Sequence, residues 1–323
     1  MEFFKYTKTF DFMSKKIITL IISLTLVLTS YAILASKGLN YGIDFAGGTV
    51  IQVKYDKTAP INEMRELIST NELFNGASIS EFGSPDEVVI RVRTSSSSVT
   101  SDMGDVARSV LKESGNFEIR RVDIVGPKVG NELREKGITA MVLAIIGILI
   151  YVSFRFEWRF ALASVVALIH DVSIAMGAIS LFEVEVNLDI LAAMLTILGY
   201  SLNDTIIVFD RIREGINKIK SAVLAAVINE SVTRTLSRTT LTSLTTFFVV
   251  LTLWMWGGEI IHGFGFTLLV GIIVGTYSSI FVASPVLIWL GFDIKAFRTK
   301  LADKEKRRIE KERMRAQFEQ GTL

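Results

Sequence analysis

Long runs of uncharged, apolar residues constrain this chain more than any other feature of its sequence. The first run covers residues 17–35, directly after Lys15 and Lys16. Five further runs follow, at about 138–154, 160–181, 188–209, 233–256 and 266–290. An α-helix needs about twenty apolar residues to cross the hydrocarbon core of a bilayer. The sequence therefore predicts six transmembrane helices, and the first is expected to be a retained span rather than a cleaved signal peptide.

The composition is typical of a membrane protein and argues against several kinds of site. Half of the 323 residues are hydrophobic, and the mean hydropathy is +0.44. There is no cysteine, which excludes disulfides and thiolate metal sites, and two histidines are too few for a His-rich metal site. The sequence shows no nucleotide-binding loop and no nucleophile constellation. We therefore expect no enzyme activity, no cofactor, no metal and no nucleic-acid partner.

The positions of lysine and arginine predict the orientation of the spans. Basic residues occur before the first span, between the second and third, between the fourth and fifth, and after the sixth. The hairpins at about 182–187 and 257–265 contain acidic residues but no Lys or Arg. Because basic residues mark the cytoplasmic side, residues 1–16 and the charged tail at 291–323 are predicted to be cytoplasmic. The tail suits a solvated helical or disordered segment, or a contact with anionic lipid or an acidic partner.

Residues 36–137 have the patterns of one small α+β domain on the opposite, periplasmic side. Strands are predicted at 49–55, 77–82, 87–93 and 117–125, and helices at 61–73 and about 99–114. The order β-α-β-β-α-β indicates a ferredoxin-like domain, with an irregular α+β domain as the alternative.

Two glycine-containing linkers, "YGIDFAGGT" and "VGPKVGNELREKG", connect this domain to the first and second spans. In the first linker, Gly47 and Gly48 suit a tight turn that needs positive φ, and Asp44 is placed to cap or anchor that turn. Gly42, Asp44, Gly47 and Gly48 are therefore candidate functional residues, although ordinary linker chemistry explains them equally well.

Ionisable residues within the predicted spans are the strongest functional candidates. Such residues are costly in hydrocarbon and usually face a bundle interior or a water-filled path. The candidates are His170 and Asp171 in the third span, Asn203 and Asp204 in the fourth, and Arg234 and Arg238 in the fifth.

Antiparallel packing of the fourth and fifth spans predicts that Asp204 and Arg238 lie at similar depth. Each is roughly two turns from the cytoplasmic edge at about 1.5 Å per residue. Pairing with arginine favours the ionised carboxylate, whereas burial favours the neutral acid. An arginine that approaches and retreats would make Asp204 release and capture a proton. A static ion pair is the alternative.

The remaining polar residues each have two interpretations. The hydroxyls of the fifth span, among them Thr242, suit a hydrated path or close helix packing. His170 and Asp171 suit a structural hydrogen-bonded pair or a proton relay, and Asn203 is a further relay or structural candidate.

Seven motifs, in order along nearly the whole chain, carry a resemblance to a known family. They are "GIDFAGG", "VGPKVGNEL", "FRFEWR", "HD", "GYSLNDTIIVFDRIRE", "RTTLTS" and "GTYSSI". The chain resembles the SecD/SecF family of protein-export membrane proteins, and "GYSLNDT" with "FDRIRE" is typical of its SecF branch.

The resemblance implies half of an RND-type bundle with a ferredoxin-like periplasmic domain in a bacterial inner membrane. It implies a SecD-like partner, the SecYEG channel, a YidC- or YajC-type accessory, membrane lipid, and a preprotein as the transient substrate. It assigns proton coupling to Asp204 and Arg238, with protons as the coupling ion that drives movement of the outer domains. The alternative functions are half of an RND-type small-molecule/proton antiporter and a non-conducting structural subunit of the translocon.

Overall fold

The computed structural model describes residues 9–92, 103–219, 221 and 223–319. These residues include six helical stretches that are long and apolar enough to cross a membrane, as predicted, so the chain is a multi-pass membrane protein. The helices are α1 (Lys16–Lys37), α2 (Ile43–Ala46), α3 (Ile61–Ser69), α4 (Met103–Val110), α5 (Pro127–Arg155), α6 (Trp158–Leu181), α7 (Leu188–Lys218), α8 (Leu224–Trp256), α9 (Glu259–Ser278), α10 (Ser284–Trp289) and α11 (Ile294–Glu319). The strands are β1 (Gly48–Tyr55), β2 (Ser78–Phe82), β3 (Ser84–Val92) and β4 (Phe117–Val125).

The domain between α1 and α5 is a four-stranded antiparallel sheet in the order β2-β3-β1-β4. Together with α3 and α4, this order confirms the predicted ferredoxin-like arrangement. The central strand β1 alternates as predicted, and Ile51 and Val53 are fully buried in the domain core. The helix predicted at about 99–114 is seen from Met103 onward, and its last turn, Leu111–Ser114, is a 3₁₀ turn. Its first residues, 99–102, lie outside the described residues.

The membrane bundle has three central and three peripheral spans. The central ones are α6, α7 and the sixth span, with 61%, 50% and 61% of their most apolar windows buried. The corresponding shares for α1, α5 and α8 are 17%, 11% and 17%, so these helices expose most of their surface. Small residues allow the central helices to approach closely, because a Cβ on Gly271 would lie 2.2 Å from Ile197 and one on Gly275 would lie 3.0 Å from Ser201.

The helices run beyond the apolar runs that predict them. The fourth span continues past residue 209 to Lys218, and the fifth begins at Leu224 rather than near residue 233. An apolar run marks only the part of a helix that lies in hydrocarbon, whereas helical hydrogen bonding continues into water. The charged tail also forms a helix, α11, as in the helical one of the two interpretations predicted for that segment.

The sixth span is interrupted in its C-terminal third. A π-helical turn, Ser279–Ala283, separates α9 from α10. Pro285 lies in the first turn of α10 and has no N–H to offer to the preceding turn. π-helical turns in α-helices are rare and are frequently found at functional sites.

The C-terminal end of α7 is held by the tail. The Arg298 guanidinium in α11 donates hydrogen bonds to the backbone carbonyls of Ile216 at 2.6 Å, Ile219 at 2.5 Å and Ser221 at 3.1 Å. The last carbonyls of a helix have no partner within the helix and carry partial negative charge. Arg298 therefore caps α7 from a different element.

Candidate functional site

Asp204 is buried where α7, α8 and α9 meet. Its side chain is 1% exposed, and its Oδ2 accepts a hydrogen bond from the Ser243 hydroxyl at 3.1 Å. Ser243 in turn accepts a hydrogen bond from the Thr276 hydroxyl of α9 at 2.9 Å. Asp204 points inward because it shares a buried stripe of α7 with Ile197, Ser201 and other residues at helical spacing. The carboxylate thus faces the bundle interior rather than lipid.

Arg238 does not pair with Asp204 in this structure, so the predicted contact between them is not formed. Ser243 occupies the position opposite the acid, and Arg238 lies five residues earlier on α8, which is about 7.5 Å toward the predicted cytoplasmic side. The depth estimate failed because it took the membrane edge near Ser231. Counting the roughly twenty residues that cross hydrocarbon back from Trp256 places that edge near residue 237.

Two other candidates also point away from the acid. Asn203 is exposed, since it lies about 100° from Asp204 around the helix axis. Thr242 is likewise exposed, and its hydroxyl donates to the carbonyls of Arg238 and Thr239. Thr242 thus makes no contact with Asp204, and its neighbour Ser243, on the buried side of α8, carries the hydroxyl that contacts the acid. A relay or structural role for Thr242 stays a prediction.

Arg238 lines a polar cavity of about 550 Å³ between the predicted cytoplasmic halves of α7 and α8. We call it the α7–α8 cavity. Arg234 pairs with Glu230 across one turn of α8, and Asp210 pairs with Arg155 at 3.1 Å. Of the described residues, none forms an ion pair with Arg238. The cavity is lined by Ile206, Ile207, Asp210, Arg211, Arg213, Glu214, Asn217, Arg234, Thr235 and Arg238.

Hydroxyl side chains lie along α8 between this cavity and the buried acid. Thr235 lines the cavity, Ser243 contacts Asp204, and Thr239 lies one turn from each on the buried stripe of α8. Thr239 Oγ1 is buried and has no hydrogen-bond partner among the described residues, whereas the hydroxyl of Thr235 bonds to carbonyls of its own helix. The spacing of four residues between Thr235, Thr239 and Ser243 is the sequence signal that identifies this row.

His170 and Asp171 form a second buried polar group in α6. Asp171 is fully buried, and its Oδ1 lies 2.8 Å from His170 Nδ1. Its Oδ2 accepts hydrogen bonds from Ser201 of α7 at 2.5 Å and Ser278 of α9 at 2.7 Å. The hydrogen-bonded pair is thus present, and it also joins three helices.

The glycine-containing linker packs against the start of α7. Asp44 Oδ2 accepts the backbone N–H of Leu188 at 3.0 Å, so Asp44 anchors the N-terminus of α7 rather than its own turn. The N–H of Gly42 donates to the Val186 carbonyl at 2.9 Å, and a Cβ on Gly42 would lie 1.7 Å from Asn187 Oδ1. We call these contacts the domain joint.

The two linkers also contact each other at the domain joint. Gly47 has φ +80°, and a Cβ there would lie 2.8 Å from Pro127 Cα. The prediction of positive φ is correct for both glycines, since Gly48, which begins β1 directly after Gly47, has φ +156°. Nearby, a hydrogen bond from Lys37 at 2.9 Å lowers the pKa of the exposed Glu183 below its ordinary value.

Comparison with known proteins gives a consistent result. The family model "Protein export membrane protein SecD/SecF, C-terminal" matches residues 106–293, and the model "SecD/SecF GG Motif" matches residues 32–59. Protein translocase subunit SecF of Helicobacter pylori strain J99 is 48% identical over 323 residues, which is 100% of both chains. The same subunit of Escherichia coli O157:H7 is 39% identical over 301 residues, covering 92% of this chain and 93% of that protein.

A solved structure is also similar. It is the crystal structure of SecDF, a translocon-associated membrane protein from Thermus thermophilus, with a TM-score of 0.77 and 33% sequence identity. The match covers 90% of this chain and 40% of the SecDF chain. This chain therefore spans about two fifths of that SecDF chain.

Proposed function

Because the chain belongs to the SecD/SecF family of protein-export membrane proteins, as a subunit of the SecF type, we propose that it couples proton movement to protein export through Asp204. The single observation that carries this proposal is the burial of an acid with one hydroxyl donor inside a membrane bundle. Ionisable groups in this setting mark proton or ion pathways. The subunit needs no covalent chemistry of its own for this role.

The α7–α8 cavity supplies the proposed route from the cytoplasmic side. Protons pass from the cavity to Asp204 along the row of Thr235, Thr239 and Ser243. Successive members of this row are about 6 Å apart along the helix axis, so water bridges them. The unpartnered hydroxyl of Thr239 supports this route, since a buried polar group without a partner is costly unless water reaches it.

Arg238 responds to the charge on Asp204 in this proposal. The guanidinium borders the cavity on the helix that also carries Ser243. An ionised Asp204 attracts Arg238 inward, and a protonated Asp204 releases it to the cavity. Moving one charge across the membrane potential supplies about 2.3 kcal/mol per 100 mV, which is sufficient to bias two conformations more than tenfold.

The domain joint carries movement from α7 to the outer domain. Asp204 lies 16 residues from Leu188, so about 24 Å of continuous helix separates the acid from the hydrogen bond of Asp44. The strand β1 begins only four residues after Asp44. A tilt of α7 therefore acts directly on the sheet domain.

The setting of this function is a bacterial inner membrane, with the sheet domain in the periplasm and both termini in the cytoplasm. The asymmetric distribution of basic residues supports this orientation. A SecD-like subunit is the proposed partner, because the similar SecDF chain extends well beyond this one. SecYEG, a YidC- or YajC-type accessory and an exported preprotein complete the proposed assembly.

The substitution Asp204→Asn tests the proposal, because it keeps the shape of the side chain and removes the titratable group. Vesicles are prepared with this chain, its SecD-like partner and SecYEG, and both proton flux and preprotein export are measured under an imposed proton gradient. We expect both to fall to the level of vesicles that lack this chain. The matched control is Asp56→Asn, which changes an exposed acid just after β1, away from the domain joint. Wild-type rates with an assembled Asp204→Asn variant would instead favour a structural subunit.

A further inference from the structure

Asp171 is the second fully buried carboxylate of the bundle, and its surroundings differ from those of Asp204. Both of its oxygens have partners, and these come from α6, α7 and α9. The two hydroxyl donors, Ser201 and Ser278, bond to the same oxygen, which leaves Oδ1 to the His170 imidazole. Hydrogen bonds to an ionised acceptor are about twice as strong as neutral ones. An ionised Asp171 therefore ties the three central helices together.

Only one ring nitrogen of His170, Nδ1, has a hydrogen-bond partner in the described part of the chain. Its ring is 6% exposed, and Nε2 is itself buried with no hydrogen-bond partner among the described residues, which is costly unless water reaches it. The ring stacks on Tyr277 of α9 at 6.2 Å. Tyr277 is itself fixed to α1, since its hydroxyl donates to the Thr19 carbonyl and accepts from Ser23. His170 is thus held in position, with a free nitrogen on the side away from the acid.

We propose that His170 and Asp171 form a second proton-storing site, in which His170 Nε2 accepts a proton from water and His170 Nδ1 passes one to Asp171. This proposal deepens the proposed function and rests on it. At the start, Asp171 is ionised and His170 is neutral with its proton on Nδ1. A hydronium ion gives its proton to Nε2, and the Nδ1 proton moves to Oδ1. The products are water, a neutral acid and a neutral imidazole protonated on Nε2, so one proton is stored.

Storage of this proton loosens the contacts between the central helices. A neutral acid is a weaker acceptor, so the bonds from Ser201 and Ser278 lose their charge assistance. Ser278 has a second acceptor within reach, because its hydroxyl lies 3.1 Å from the Gly275 carbonyl of its own helix. The π-helical turn Ser279–Ala283 begins at the next residue. Released from Asp171, α9 can shift at this turn without losing its backbone hydrogen bonding.

The two acids act on the same pair of helices. Ser201 lies one turn before Asp204 on α7, and Thr276, two residues before Ser278 on α9, donates to Ser243 beside Asp204. Among the described residues, the other titratable groups at this level of α6 are Asp204 and three phenols: Tyr31 of α1, Tyr200 of α7 and Tyr277 of α9. The facing part of α5, residues 141–150, is entirely apolar. Each acid therefore changes how α7 packs against α9.

Infrared difference spectra after a pH jump test the proposal in membranes that contain the full chain and its SecD-like partner. We expect a carboxylic acid band on acidification that is lost in Asp171→Asn and kept in Asp204→Asn. An Asp171→Asn spectrum identical to the wild type would overturn the proposal. This readout does not depend on export, so a failure of the proposed role of Asp204 appears separately, as unchanged export by Asp204→Asn.

A second variant covers the possibility that Asp171→Asn does not assemble. The amide of His170→Gln can still donate to Oδ1, but it has no second ring nitrogen through which a proton can pass. We expect the Asp171 band to form at least tenfold more slowly after the jump, whereas an unchanged rate would overturn the route through Nε2. The matched control is His262→Gln, since His262 is the other histidine of the chain and lies at the far end of α9.

Discussion

The substitution Asp44→Ala is expected to loosen the domain joint without unfolding either the bundle or the sheet domain. It removes the acceptor of the Leu188 N–H, one of the first-turn donors of a 31-residue helix that has no acceptor within the helix. Loss of a side-chain cap costs about 1 kcal/mol, and loss of a negative charge near a helix N-terminus adds about 0.3–1 kcal/mol. The sum, about 1.3–2 kcal/mol, raises the population of the state in which this hydrogen bond is broken roughly 9- to 30-fold.

Hydrogen exchange measures this change directly. An amide that exchanges through local opening does so in proportion to the population of the open state. We expect peptides that span residues 186–191 to exchange roughly 9- to 30-fold faster in Asp44→Ala. Asp44→Asn keeps an oxygen acceptor and loses only the charge, so its increase is about two- to fivefold.

The matched control is Asp56→Ala, which removes an exposed carboxylate just after β1, away from the joint. It should leave exchange at residues 186–191 unchanged. If Asp44→Ala also leaves exchange at these residues unchanged while the sheet domain stays folded, the Asp44 hydrogen bond does not hold the joint. The transmission of movement from α7 to the domain would then need another contact.

Two further predictions concern the ends of this transmission. Burial raises the pKa of Tyr55 above its ordinary value, and the Tyr55 hydroxyl lies 2.6 Å from Ser114. Because the pKa is higher in the folded state, the free energy of unfolding is intact below about pH 10 and falls as the pH rises further. Exchange protection of β1 should therefore drop at alkaline pH in the wild type and much less in Tyr55→Phe, with Tyr151→Phe on exposed α5 as the control. Arg298→Met should leave the carbonyls at the end of α7 without their donor. We expect hydrogen exchange of the last turn of α7 to become about tenfold faster, for a loss of about 1.5 kcal/mol. Lys295→Met, at an exposed residue, should not change this rate, and equal exchange in both variants would show that Arg298 is not the cap.

The overall architecture follows from the sequence because lipid imposes a strong constraint. A chain in hydrocarbon must satisfy its backbone within helices, so each apolar run of sufficient length has one solution. The sheet domain is nearly as accessible to prediction, since alternation of apolar residues identifies β1 and its partners. These patterns give the six spans and the ferredoxin-like order.

The details of the candidate site depend on the rotation and depth of each side chain, which patterns of apolar residues do not determine. One residue on a helix corresponds to a rotation of 100°, so Thr242 points outward and Ser243 meets Asp204. The pairing with Arg238 failed because the sequence estimate took the membrane edge near Ser231, whereas counting back from Trp256 places it near residue 237.

The contacts of the domain joint could not be predicted from the sequence, for a different reason. Asp44 and Leu188 are 144 residues apart in the sequence, and no local pattern connects a loop carboxylate to a particular helix N-terminus at that separation. Sequence reasoning identified Asp44 as an anchoring residue, but the element that it anchors required the structure.

Because α8 is sparsely packed, only this one of the described helices separates the buried Asp204 from the surface of the bundle on that side. One helix is about 10–12 Å across, and α8 is the layer that separates Asp204 from whatever adjoins the bundle on that flank. Electrostatic energies in a medium of low permittivity extend over such distances. Any molecule that adjoins α8 on this flank therefore lies within electrostatic range of Asp204, so the free energy of ionising this acid depends on what the subunit is assembled with.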